Sequence, residues 1–178
     1  MIDGGGRLSW IFGHGSLMFR PEFPYVRRGS ASVEGWERRF GQPSVRNWGT
    51  PGAPAPTSSL VPGGSVAGIA FGVAPDHRRQ VLDTVSRREA QEPIEVTFEV
   101  GGTMVSGLTW PMTSVWAHLS AEELAMAALE NVANGGGPSG HALDYLNGVA
   151  DVLTSIRSLD GVTGGYRAAV GRLVEPAN

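Results

Sequence analysis

The chain has 178 residues, no cysteine, and 14 basic against 17 acidic residues for a net charge of −3, a balance that gives no electrostatic case for nucleic acid or another polyanion as partner. Every basic residue is arginine, so lysine nucleophiles, Schiff bases and phosphate-loop lysines are excluded, together with disulfides, thiolates and zinc–thiolate sites. The length suits one domain over residues 1–178, strand-rich from 8 to 115 and helical from 119 to 174.

The first expected element is a short apolar strand, Leu8 to Phe12. It is too short for a signal-peptide core and leads to no Ala-x-Ala site, and no run approaches a membrane span. The chain therefore reads as cytoplasmic, with no membrane partner. The strand runs into Gly13-His14-Gly15-Ser16-Leu17, where the glycines are expected to adopt positive φ and turn successive amides to one side, a cradle for an anion. An ordinary strand-end turn is the plainer alternative. Met18 stands where a dinucleotide fingerprint needs glycine, and neither the phosphate loop nor the nucleophile elbow has its required residues. His14 either packs in place or hydrogen-bonds a ligand.

Residues 40–59 contain Pro43, Gly49, Pro51, Gly52, Pro54 and Pro56 and are read as a long loop, a candidate lid. In Gly68 to Val73 large and very small side chains alternate, the pattern of a tightly curved sheet or small barrel. A helix is expected from Pro75-Asp76 to Glu89, with Val81, Leu82 and Val85 on its buried side. At about 100° per residue Glu89 falls roughly 30° from the centre of that stripe. Turned inward, its carboxyl would have a raised pKa and suit a general base. Turned outward, it would pair with Arg88 or meet solvent.

Ile94 to Val100 alternates with period two, placing Glu95 and Glu99 in solvent, and Gly101-Gly102 supplies a hairpin turn into Thr103 to Trp110. Ser120 with Glu123 forms a capping box for a helix to about Val132. After Gly135 to Ser139, a second helix carries a stripe of Leu143, Leu146, Val149, Leu153 and Ile156, and a third covers Tyr166 to Leu173. Strands followed by helices make the class α+β. His77, His118 and His141 lack metal spacing and are read as surface residues, and no heptad run or internal repeat fixes an oligomeric state.

Taken together, these segments resemble the ChaC-type gamma-glutamylcyclotransferases. The family's Phe-Gly-Tyr-Gly-Ser-Leu, Pro and Phe-Pro-Tyr are similar to Phe12 to Leu17, Pro21 and Phe23-Pro24-Tyr25. Its Gly-Trp/Tyr-x-Arg-Arg-Phe resembles Gly35 to Phe40, its Gly-Thr-Pro resembles Gly49-Thr50-Pro51, and its Gly-x-Ala strand resembles Gly68 to Phe71. The family's Arg-Glu falls on Arg88-Glu89, and its Gly-Pro-Ser and Tyr-Leu fall on Asn134 to Ser139 and Tyr145-Leu146. His14 replaces the usual Tyr, and Ala90-Gln91-Glu92-Pro93-Ile94 replaces Gly-Gly-Tyr.

The resemblance implies a small mixed β-barrel with packed α-helices and cofactor-free, metal-free conversion of glutathione, or a related gamma-glutamyl amide, to 5-oxoproline and the free amine. It implies Glu89 as the catalytic acid/base and Ile11, Phe12, Gly13, His14, Gly15, Ser16 and Leu17 as substrate-binding residues. Arg38 and Arg39 face opposite ways on a strand, so at most one is expected to hold a substrate carboxylate. Two alternatives follow from the departures: a cyclotransferase for gamma-glutamyl amines of secondary metabolism or amine catabolism, and a non-catalytic small-molecule-binding relative.

Overall fold

The computed structural model describes residues 7–111 and 115–174; residues 112–114, in the expected strand-rich part, and the two chain ends lie outside the described residues. Five strands, β1 (Ser9–Gly13), β2 (Arg27–Ser44), β3 (Ala55–Val73), β4 (Ile94–Val100) and β5 (Thr103–Thr109), form one sheet in the order β2-β3-β1-β5-β4. β1 runs antiparallel to β3 and parallel to β5. The sheet coils until its edges meet, a methyl added at Gly29 of β2 lying 3.3 Å from Val100 Cγ1 of β4. The result is a nearly closed small barrel.

Strand alternation places one residue in each of two cores. Phe12 points into the barrel with Val33, Leu60, Val66, Val96 and Phe98. Its neighbour Ile11 points outward, into a second core shared with the helices. In β4 only Val96 and Phe98 are fully buried, while Glu95 and Glu99 are exposed, as the alternation predicts. Gly101 and Gly102, at φ 57° and 79°, make the turn into β5.

The helices are α1 (Arg78–Glu89), preceded by a 3-10 turn Pro75–His77, then α2 (Ala121–Ala133), α3 (Ala142–Ser155) and α4 (Gly161–Val174). Ser120 and Glu123 make the reciprocal capping pair at the start of α2. The apolar stripe of α3 is centred on Leu146, Val149 and Leu153, with Ala142, Tyr145 and Ala150 also buried. α4 begins five residues earlier than the expected Tyr166, because Asp160 Oδ1 accepts the Thr163 N–H and caps it.

The expected loop over residues 40–59 is corrected by the structure. Residues 40–44 belong to β2 and 55–59 to β3, with Pro43 opposite Pro56. Proline is tolerated there because β1 pairs β3 only from Ile69 to Val73, so this end of the β2–β3 ribbon has strand edges that owe few ladder bonds. Only residues 45–54 connect the strands, and they do not form a free lid. The buried Asn131 amide donates to the carbonyls of Trp48 and Ala53 at 3.1 and 2.9 Å and accepts the Ala142 N–H at 2.8 Å. One side chain thus fastens the connection to α2 and α3.

Candidate active site

At the end of β1 the chain enters a 3-10 turn, Ser16–Met18, that opens onto a cavity of about 290 Å³. His14, Gly15, Ser16 and Leu17 line it; Ile11 and Phe12 are committed to the two cores, and Gly13 is not part of its wall. The glycines do not take the expected positive φ. Gly15 sits at φ −125°, and glycine is required for space: an added methyl would collide with the Tyr145 hydroxyl and lie 3.3 Å from Ser58 Cβ. Gly15→Ala should therefore cost about 1–3 kcal/mol of stability by overpacking. Combining it with Tyr145→Phe should recover part of that loss, a coupling readable by thermal unfolding of the four chains of the cycle.

The base of the cavity is a buried polar network. His14 Nε2 lies 2.7 Å from the Trp110 carbonyl, which can only accept, so Nε2 carries the proton. Nδ1 then accepts from Ser58 Oγ at 2.8 Å. Burial holds the imidazole pKa down to about 4, so the ring is neutral and packed at neutral pH. Ser58 N–H in turn donates to Tyr145 Oη at 2.9 Å. Burial pushes the phenol's ionisation well above its ordinary value, which keeps its proton available for donation. Trp48 and Phe19, with ring centroids 5.3 and 6.1 Å from that of Tyr145, hold the phenol edge-on.

Glu89 faces the same cavity as the last residue of α1, which Ala90 ends by entering the left-handed region at φ 52°. The side chain is 16% exposed. Desolvation raises its pKa and the nearby Arg88 charge opposes that rise. Both sequence readings of Glu89 hold in part: it is turned inward, and it pairs with Arg88 Nε at 3.5 Å. Arg88 also donates to Ser16 Oγ at 2.8 Å and to the Arg20 carbonyl at 2.6 Å. One guanidinium thereby ties the carboxylate to the Gly-rich turn.

Neither Arg38 nor Arg39 lines this cavity, which corrects the expectation of a substrate-carboxylate anchor at one of them. Arg38, 2% exposed, donates to the His14 carbonyl at 3.1 Å, to the Ala67 carbonyl at 2.6 Å and to Asp160. Arg39 points away and pairs with Glu37. His77 and His118 are exposed, as expected, whereas His141 is half-buried at the start of α3. Among the described residues no group of side chains is arranged to hold a metal ion, and no helix is long and apolar enough to cross a membrane. Ser58, Arg88 and Tyr145 are site residues that sequence reasoning missed. Tyr145 had one available signal, a polar-tipped aromatic beside the apolar stripe of α3.

A family model described as ChaC-like protein matches residues 9–163. The mouse glutathione-specific gamma-glutamylcyclotransferase 1 is 31% identical over 161 residues, covering 85% of this chain and 72% of the mouse protein. The Escherichia coli glutathione-specific gamma-glutamylcyclotransferase is 24% identical, covering 84% of this chain and 73% of its own. The crystal structure of a yeast gamma-glutamyl cyclotransferase specific to glutathione superposes with a TM-score of 0.80 at 19% identity, covering 94% of this chain and 97% of that one. That likeness shows a common fold, and the family match spans both the Gly-rich turn and Glu89: this chain belongs to the ChaC-like protein family.

Proposed function

We propose that this chain is a gamma-glutamylcyclotransferase, a cofactor-independent carbon–nitrogen lyase of cytoplasmic glutathione catabolism. It converts glutathione, or a closely related gamma-glutamyl amide, to 5-oxoproline and the free amine, Cys-Gly in the case of glutathione. The observation that carries this reading is a half-buried carboxylate of raised pKa facing the Gly-rich turn across one cavity.

In this mechanism the glutamyl head lies deep, against the main-chain amides of residues 15–17. Glu89 removes a proton from the substrate α-ammonium group, and the freed amine attacks the γ-carbonyl carbon of the same molecule. A new C–N bond closes the five-membered ring, and the carbonyl oxygen takes up negative charge. Turn amides and the Tyr145 hydroxyl are the donors within the cavity that suit this charge or the substrate carboxylate. Collapse of the intermediate breaks the original C–N bond as protonated Glu89 returns its proton to the departing nitrogen. The regenerated carboxylate takes the second proton from the ring nitrogen and passes it to the released amine, leaving a neutral lactam and an ammonium group. No water is consumed. Both reacting groups belong to one molecule, so holding it curled supplies much of the acceleration.

The direct test is to incubate the protein with a panel of gamma-glutamyl compounds and detect 5-oxoproline by mass spectrometry. Product from glutathione supports the reading; product from gamma-glutamyl amines alone would move the substrate class, and none from any compound would overturn the activity. The pH profile supplies a second measurement. Glu89 must be ionised to accept a proton, so the rate should fall on the acid side with an apparent pKa above that of an ordinary glutamate. Arg88 is the charge that holds this pKa down, so Arg88→Gln should move the acid limb to higher pH as well as lower the rate.

A further inference from the structure

The wall of the cavity is graded in depth. His14, Ser58 and Tyr145 are buried at its base, Glu89 is half-buried, and Val45 and Arg46 are exposed at its mouth. A substrate whose reacting amine meets Glu89 and whose glutamyl head lies against the turn must extend its leaving group outward, past residues 45 and 46.

Two cationic side chains line the cavity, Arg46 and Arg88. Arg88 is already engaged by Ser16, Arg20, Glu22 and Glu89. Arg46 has no acidic partner among the described residues. The backbone that follows it is nonetheless held. Asn47 O accepts the Ser139 N–H at 2.8 Å, Trp48 O is bound by Asn131, and Arg20 lies over the Trp48 ring at 5.3 Å. A cation left without a protein partner on an anchored rim is suited to recognising an anion on the outward end of the substrate.

We propose that Arg46 is a specificity-determining residue that binds a carboxylate on the leaving group. The preferred substrates are then gamma-glutamyl peptides, whose released amine carries a terminal carboxylate, over gamma-glutamyl derivatives of simple amines. Arg46 makes and breaks no covalent bond; it acts by binding. This inference rests on the cyclotransferase reading of the site.

The test compares kcat/KM of the full-length chain and of its Arg46→Ala and Arg46→Lys variants on glutathione and on glutathione whose glycine carboxylate is converted to the amide. The wild type should prefer the acid to the amide by about tenfold, chiefly through KM. Arg46→Ala should treat the two alike, and Arg46→Lys should keep part of the preference. An equal loss on both substrates would assign Arg46 to the glutamyl head and overturn the proposal, as would an unchanged preference. Product from gamma-glutamyl derivatives of simple amines but from neither of these two compounds would overturn the Arg46 assignment alone, whereas absence of 5-oxoproline from the wild type on every gamma-glutamyl compound would overturn the cyclotransferase reading, and the Arg46 assignment with it.

Discussion

Glu89→Gln should lower 5-oxoproline formation by about 10²–10⁴-fold, the usual contribution of a positioned acid/base, while substrate binding stays almost unchanged. The amide keeps the shape of the side chain but can neither take the ammonium proton nor return one to the leaving nitrogen. The same substitution should make the protein more stable at neutral and alkaline pH. Burial raises the Glu89 pKa, so its ionised form is disfavoured in the folded state. The stability linked to this group is fully present below the unfolded-state pKa, about 4.3, and is lost as pH rises through the higher folded-state value. The thermal midpoint of Glu89→Gln should accordingly exceed that of the wild type at pH 8, and the gap should narrow toward pH 4. A variant less stable than the wild type at pH 8 would mean that the Arg88 pair outweighs desolvation.

Arg38→Met should reduce stability by about 3 kcal/mol, the low end for breaking a buried charge pair. Asp160 is 32% exposed and can recover water, which limits the penalty on its side. The carbonyls of His14 and Ala67 have no such recourse, because they lose their guanidinium donors inside the protein. For a chain of this length the thermal midpoint should fall by about 6–12 °C. Arg38→Lys should rescue little, since one ammonium cannot reproduce a planar fork directed at acceptors from the Gly-rich turn, β3 and the residue that caps α4. The His14 carbonyl lies at the entrance of the Gly-rich turn, so KM should also rise in the Met variant. Asp160→Asn, which keeps every carbonyl satisfied, should be the milder change. If the two substitutions prove equally damaging, the ion pair and not the carbonyl bracing dominates.

The parts of the fold legible in sequence are those whose cause is local. Alternation in Ile94 to Val100, the Gly101-Gly102 turn and the Ser120–Glu123 capping pair each depend on residues within a few positions of one another. The long strands β2 and β3 were hidden because proline and glycine argue against a strand, and only the sheet order shows that their ribbon extends beyond β1. Gly35, at φ 81°, marks a register shift within β2 and is a further local irregularity of that kind. In the site, the inward bias of Glu89 follows from helical periodicity, and residues 14–17 from the strand-to-loop change. Ser58 gave no such signal and Tyr145 only that of a polar-tipped aromatic beside the apolar stripe of α3, since their importance arises from a hydrogen bond across 87 positions of chain. The role of Gly15 was read as conformational when it is spatial, because its neighbour Tyr145 comes from the distant helical third.

The bond between His14 and Trp110 spans 96 positions, and β1 is inserted between the antiparallel β3, which follows it only after the whole of β2, and the parallel β5, which meets it at Gly107 and Leu108. No short contiguous fragment of the chain can hold the assembled candidate site, since the turn at residues 14–17, Glu89 in the middle of the chain and the Tyr145 phenol of the helical third are far apart in the polypeptide. Recovery of turnover during renaturation should therefore lag behind the return of helical signal, and should coincide with the final docking of the C-terminal helices onto the barrel.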